Sequence, residues 1–316
     1  MKSKVIPLAT RRKPVESVAS AYQIYLSSLA KSARSAMASQ LKTAIQLLGS
    51  DLPNEAYPWH EMNFEKAHIV RAALLDLGYS VNSINLTLSG IRGIAKTAFN
   101  LGQISGDDLL RINSVKNVKG SSTKVGRNVS LKEIRKLIAV ARKESNSIKG
   151  ARSKAILLVG FGAGLRCSEI CSLQLSDFDA KKDLLTIRKG KGRKRREVYL
   201  AKEVSEAIQE WVTERGRQEG PLFLRILRYG LVKNAGLSTR GVAKVIDELQ
   251  QEAEVEKFTM HDMRRTFITR LLEQGIDINV VRQLAGHSDV STTIRYDRRD
   301  ISWQKQASQS ITFKNK

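Results

Sequence analysis

The sequence predicts a mainly α fold with a small β-sheet, an α+β arrangement in two domains. Three observations lead there. Apolar residues recur at helical spacing from Val18 to Ala98 with no strand pattern between them. Residues 112–129 then lose periodicity and gain Gly, Ser and Lys. Beyond them the pattern is mixed, with one hairpin among helices. A chain of 316 residues is long enough for two domains.

Residues 1–14 read as a flexible basic arm, and residues 15–111 as a bundle of four or so helices. Val18, Tyr22, Tyr25, Leu26 and Leu29 mark the first helix, and Met37, Leu41, Ile45 and Leu48 the second. Pro53 and Pro58 interrupt the pattern. A third helix over 64–77 stops at Gly78, and a fourth carries Ile84, Leu88, Ile91, Ala95 and Ala98 on one face. Residues 112–129 read as an exposed linker. Ser130 and Glu133 form a capping-box pattern that opens the second domain, 130–300. Helices are expected near 131–143, 151–162, 167–174, 203–215, 239–253, 262–274 and 278–285. LLTIR and REVYL flank the basic turn KGKGRKR and predict a hairpin. Ser291, Thr292 and Thr293 favour a last helix start, with Tyr296 about a turn inside and exposed among Arg295, Arg298 and Arg299.

The charge balance narrows the function. Lys and Arg number 54 against 31 Asp and Glu, a net charge of +23. Both halves share the excess: 16 basic against 8 acidic residues in 1–125, and 38 against 23 in 126–316. That argues against an enzyme of small neutral substrates and for a polyanionic partner, nucleic acid first. No apolar run is long enough to span a bilayer, so no membrane partner is expected, and the charged start is not a secretory signal. Two cysteines, Cys167 and Cys171, are too few for a disulfide framework and fit a reducing, cytoplasmic setting.

Several motifs carry chemistry. Gly160, Gly162 and Gly164 suggest a dinucleotide loop, but Leu165 stands where its fingerprint needs Gly or Ala. Gly164 reads better as a helix stop, with Arg166 opening the next helix and Glu169 sharing its face. Taken alone, that pair is an ordinary surface ion pair. The hairpin turn gathers Lys189, Lys191, Arg193, Lys194, Arg195 and Arg196, a basic finger suited to phosphates, although charge density does not single out one lysine. His261 and Arg264 share a helix face, while His287 follows Gly286 nine residues before Tyr296. Two Arg, a Lys, two His and a Tyr can operate on one phosphodiester. Guanidinium forks hold the non-bridging oxygens and stabilise a pentacoordinate transition state. A Tyr hydroxyl, with an ordinary pKa of about 10, can attack phosphorus once a base takes its proton. A Lys or His can protonate the leaving oxygen. No acidic cluster with metal-ligand spacing appears.

Arg166 in GLRCSEI, Lys191 in GKGRKR, His261-x-x-Arg264, Gly286-His287 and Tyr296 in LAGHSDVSTTIRY resemble the tyrosine recombinase (phage integrase) family in residue, order and spacing. Residues 126–300 carry these motifs; the first half is similar to the family's helical core-binding domain only in size, position and basicity. The resemblance implies a two-domain clamp around duplex DNA. It implies a site-specific, integrase-like recombinase that joins Tyr296 to a 3′ phosphate without metal, ATP or other cofactor. Arg166, Lys191, His261, Arg264 and His287 would surround the phosphate, Glu169 would support them, and Lys189, Arg193, Lys194 and Arg195 would bind DNA. Lys189 and Lys194 stay as rivals to Lys191. The position after the second Arg, often His in relatives, is Arg265 here. Partners implied are double-stranded recombination sites, a homo-tetramer on DNA and accessory DNA-bending proteins, in a bacterial or phage-type, nucleoid-associated setting. A type IB topoisomerase and a non-enzymatic DNA binder on the same fold are the alternatives. Integrase and dimer resolvase are not distinguished. The tail, 301–316, carries Ile301, Trp303, Ile311 and Phe313 and either folds back on its own domain or, as in relatives, docks on a neighbouring protomer.

Overall fold

Side-chain caps begin most of the helices of the first unit, and apolar faces hold them together. The computed structural model describes residues 19–120, 126–143, 147–188, 195–297, 305 and 308–309. The arm, most of the tail, and Lys189, Lys191, Arg193 and Lys194 lie outside the described residues. The chain divides into two compact units, Met1–Val125 and Gly126–Lys316.

In the first unit α1 is Ala21–Ser28, α2 Lys31–Leu47, α3 Phe64–Asp76, α4 Val81–Asn100 and α5 Gly106–Ser114. Ser20, Asn63, Ser80 and Ser105 accept backbone N–H bonds at the starts of α1, α3, α4 and α5. α4 is the hub: its buried Ile84, Leu88, Ile91, Ile94 and Ala98 pack against the other four helices. The fifth helix was not expected, because only Ile112 on it is buried and its apolar signal is thin.

The expected linker at 112–129 is packed at both ends. α5 runs to Ser114, Val115 is buried, and Val118 exchanges two hydrogen bonds with the Asn85 amide. On the far side Val129 is buried and donates its N–H to Thr266 Oγ1 at 2.9 Å. Isolated apolar residues anchor these stretches although their average composition is polar.

The second unit comprises α6 Leu131–Lys143, α7 Ser147–Gly162, α8 Cys167–Ser172, β1 Phe178–Asp179, β2 Leu184–Ile187, β3 Arg196–Tyr199, α9 Lys202–Arg215, β4 Leu224–Ile226, β5 Val232–Gly236, α10 Thr239–Glu252, α11 Met260–Glu273, α12 Ile278–Ala285 and α13 Val290–Ile294. The Ser130–Glu133 box opens α6 as expected. α7 forms the centre, flanked by α6, α9, α10 and α11. The predicted hairpin is β2–β3, antiparallel with Leu185 opposite Val198, and β1 extends it to three strands. The β4–β5 pair was not foreseen; its strands are short and a bulge at Leu224/Arg225 breaks the alternation that would reveal it.

Gly160 and Gly162 are packing glycines: a Cβ would strike Met263 or Val204. A separate cluster of Phe267, Ile268, Leu272, Val281, Ala285 and Tyr296 lies on α11, α12 and the segment after α13. α11 thus faces two cores, with Met263 in the main one and Phe267 in the smaller.

Two sequence readings need correction at the end of the chain. α13 is capped by Asp289 rather than begun at 291–293, so Tyr296 lies beyond its last residue, Ile294. Tyr296 is also buried, not exposed, since the adjacent cluster supplies an apolar seat that the neighbouring arginines conceal in the sequence.

Candidate active site

Two helix ends and one helix face bring the candidate residues together. Arg166 is the N-cap residue of α8, and its backbone N–H donates to Glu169 Oε2 at 2.9 Å. Its guanidinium donates to Glu169 Oε1 at 3.1 Å and to the Gly286 carbonyl at 3.2 Å. Arg264, only 2% exposed, projects from α11 and donates to the Gly164 carbonyl at 2.7 Å and to the Ala285 carbonyl. One guanidinium therefore ties the turn before Arg166 to the turn before His287. Burial, then the neighbouring Arg166, pushes Arg264 down to about 10, so it is still a cation at neutral pH.

The Gly286 corner depends on glycine. Its φ of 63° is left-handed, and an added Cβ would stand 2.9 Å from the Arg196 guanidinium. His287 follows, 7% exposed, with Nδ1 2.8 Å from Thr293 Oγ1. Its ring stacks on Tyr296 at 6.0 Å between centroids. Tyr296 Oη lies 3.1 Å from His261 Nε2. Both histidines are held neutral near pH 7. Burial and then Arg264 and Arg166 push His287 down to about 4; burial, then Arg265 and Arg264, lower His261, against Asp262. Arg166, Arg264 and His261 line an open cleft of about 720 Å³.

Five of the six expected catalytic residues thus converge; the sixth, Lys191, lies outside the described residues. Glu169, 2% exposed, is ion-paired at the centre. Arg195 is on the surface, paired with Glu197 at 3.1 Å.

Three further side chains join the site. Arg196 donates twice to Glu169, each at 2.9 Å. Burial raises the Glu169 carboxyl, but these bonds and the Arg166 N–H outweigh it and hold the carboxyl below its usual range. One carboxylate thus shares two guanidiniums, which leaves a net positive charge facing the cleft. The signal for Arg196 was the strand alternation, which points it to the same side as buried Val198. Thr293, fully buried, orients His287. Arg265 stands over the Tyr296 ring, 5.1 Å from its centroid.

A helical domain that gathers arginines, neutral histidines and one buried tyrosine beside an open cleft belongs to the DNA recombination enzymes of the tyrosine recombinase type. A sequence profile of the phage integrase family matches residues 127–302. Tyrosine recombinase XerA of Pyrococcus furiosus is 32% identical over 236 residues, covering 75% of this chain and 76% of the relative. Tyrosine recombinase XerD of Listeria monocytogenes serotype 4b is 28% identical over 222 residues, 69% of this chain and 72% of the relative. In structure, the Tn1549 transposon integrase in complex with transposon right end DNA matches 92% of this chain and 99% of its own, with a TM-score of 0.67 and 16% identity. A lambda integrase dimer bound to a COC′ core site matches 93% and 96%, with a TM-score of 0.65 and 17% identity. At those identities the likeness concerns the fold. The chain belongs to the phage integrase family and is a tyrosine recombinase, an enzyme of site-specific DNA recombination.

Proposed function

We propose that this recombinase binds double-stranded recombination sites and cuts each strand by direct transesterification at Tyr296. The Tyr296 oxygen bonds to phosphorus as the bond from phosphorus to the 5′ oxygen breaks. A 3′-phosphotyrosyl link and a free 5′ hydroxyl result. His261 takes the tyrosine proton, and Lys191, or its neighbour Lys189 or Lys194, gives one to the departing oxygen. Arg166 and Arg264 hold the non-bridging oxygens. With Thr293 donating to His287 Nδ1, the other ring nitrogen carries a hydrogen for a phosphate oxygen. The reverse reaction, with a 5′ hydroxyl from a second duplex, exchanges strands. The link conserves the bond energy, so neither ATP nor a metal ion is needed, and two paired sites call for four protomers. Both units contribute DNA contacts, consistent with basic excess in each half of the sequence.

The observation that carries this reading is the 3.1 Å contact between Tyr296 Oη and neutral His261, with two arginines in the same pocket. A duplex selected from random-sequence DNA for binding, and nicked to trap the intermediate, supplies the test. Wild-type protein is expected to give a covalent adduct that survives denaturation. Tyr296→Phe keeps the affinity and gives none; an adduct with the phenylalanine variant overturns the assignment.

A further inference from the structure

Arg265 is 15% exposed on α11, one residue beyond Arg264 and one turn beyond His261. Its guanidinium is poorly matched for a structural ion pair. Among the described residues its one ion-pair contact is Asp262 Oδ1, 3.9 Å from Nε and too far for a hydrogen bond. The other Asp262 oxygen is engaged by the Thr259 N–H at 2.8 Å and hydroxyl at 2.7 Å, in the capping box of α11. Arg265 Nε is buried without a hydrogen-bond partner among the described residues. Burying a guanidinium nitrogen unpaired costs free energy unless its placement serves another group. The group it does meet is the ring of Tyr296, 5.1 Å from the guanidinium carbon. The chain at Gly126 closes over Asp262 and Arg265 so tightly that a Cβ there would lie 2.0 Å from Asp262 Oδ1 and 3.1 Å from Arg265 Nε. Arg265 is thus confined where it stands.

We propose that Arg265 is a positioning residue for strand cleavage: it clamps the Tyr296 ring and reserves the His261 Nε2 lone pair for the tyrosine proton. The inference rests on the reading of Tyr296 as nucleophile and His261 as proton acceptor. After burial, Arg265 is the largest influence lowering His261. Among the described residues, the charged and titratable groups facing His261 are Arg264, Arg265 and Asp262 on its own helix, Arg166 at the start of α8, and Tyr296 and His287 from the C-terminal segment; Lys257 and Asp247 line the same cleft. A protonated His261 could not accept from Tyr296. A fixed cation that disfavours that proton therefore widens the pH range in which cleavage proceeds.

The test compares Arg265→Gln and Arg265→Lys with wild type in single-turnover adduct formation on the selected, nicked duplex between about pH 5.5 and 8.5. Arg265→Gln is expected to lose about tenfold or more near pH 6, with the loss shrinking toward pH 8.5 as the acidic limb moves up. Arg265→Lys keeps the charge and restores that limb, with a smaller loss at every pH because an ammonium lacks the flat guanidinium face. In the free protein, histidine NMR follows four rings, and His261 is expected to titrate at higher pH in the Gln variant than in wild type. Unchanged activity, an equal loss at all pH values in both variants, or an unmoved His261 titration overturns the inference. Should the Gln variant fail to fold, the Lys variant decides: a displaced acidic limb despite its retained charge refutes the proposal, and a retained limb supports it. Tyr296→Phe in the same assay keeps the two readings apart, because an adduct there removes the nucleophile itself, whatever Arg265 does.

Discussion

His287 is kept uncharged by its surroundings, and this has a thermodynamic consequence. Its pKa is about 4 in the folded protein, against an ordinary value near 6.5. In acid the unfolded chain therefore takes up the proton first. The stabilising effect of a neutral His287 is complete above about pH 6.5 and is lost as pH falls through 4, to the extent of roughly 3 kcal/mol. Denaturant midpoints of wild type and His287→Gln at pH 7 and pH 4.5 check this: the wild-type midpoint is expected to fall more steeply on acidification. Equal falls would mean that the ring is not held neutral. His261, lowered in the same direction, contributes to the slope that both proteins share. The site is thus in its proton-accepting state before DNA arrives.

At the scale of elements, the turn after α12 concentrates most constraints in the fewest residues. The Ala285 carbonyl receives Arg264, the Gly286 carbonyl receives Arg166, and Gly286 itself lies under Arg196. Gly286→Ala would impose a left-handed conformation on a residue with a Cβ, at about 1–2 kcal/mol. It would also push the Arg196 guanidinium off Glu169. The expected outcome is a modest loss of stability by denaturant titration with a disproportionate loss of adduct formation, on the order of 100-fold, because a displaced transition-state donor costs about that much. A rate loss no larger than the stability loss explains would show that the corner does not position Arg166. α11 matters for a similar reason: it is shared by the main core and the small cluster that seats Tyr296, so it fixes His261, Arg264 and the seat of Tyr296 together.

For the whole molecule, charge is the governing quantity. A net +23 spread over both halves leads us to expect a steep salt dependence of DNA binding. Some 6–10 phosphate contacts would lower affinity by about 10³–10⁵ between 50 and 200 mM salt. Fluorescence anisotropy on the selected duplex measures the slope, and a nearly flat curve would argue against phosphate contacts from both units. In the same buffers strand cleavage is expected to proceed in excess EDTA, since arginine and lysine side chains supply the positive charge in the proposed mechanism. Strict dependence on added Mg²⁺ would contradict it.

What the sequence determined by itself is local. Helix starts and stops follow from local residues: Ser130 with Glu133, and the glycine stops at 78 and 164. The β2–β3 hairpin follows from alternation, and the order of Arg166, His261, Arg264, His287 and Tyr296 marks the family before any coordinate is known. Tertiary structure decided whatever depends on residues far apart in the chain. Tyr296 sits among arginines in sequence yet is buried, because Phe267, Val281 and Ala285 come from other helices. Arg196 reads as one more cation of a basic turn until Glu169, 27 positions away, accepts from both its terminal nitrogens. Arg265 acquires a partner only when the chain folds Tyr296 beneath it. Backbone caps and periodicity are satisfied within a few residues and so are written locally. Burial and the sharing of charge depend on which surfaces meet, and only the folded chain brings them together.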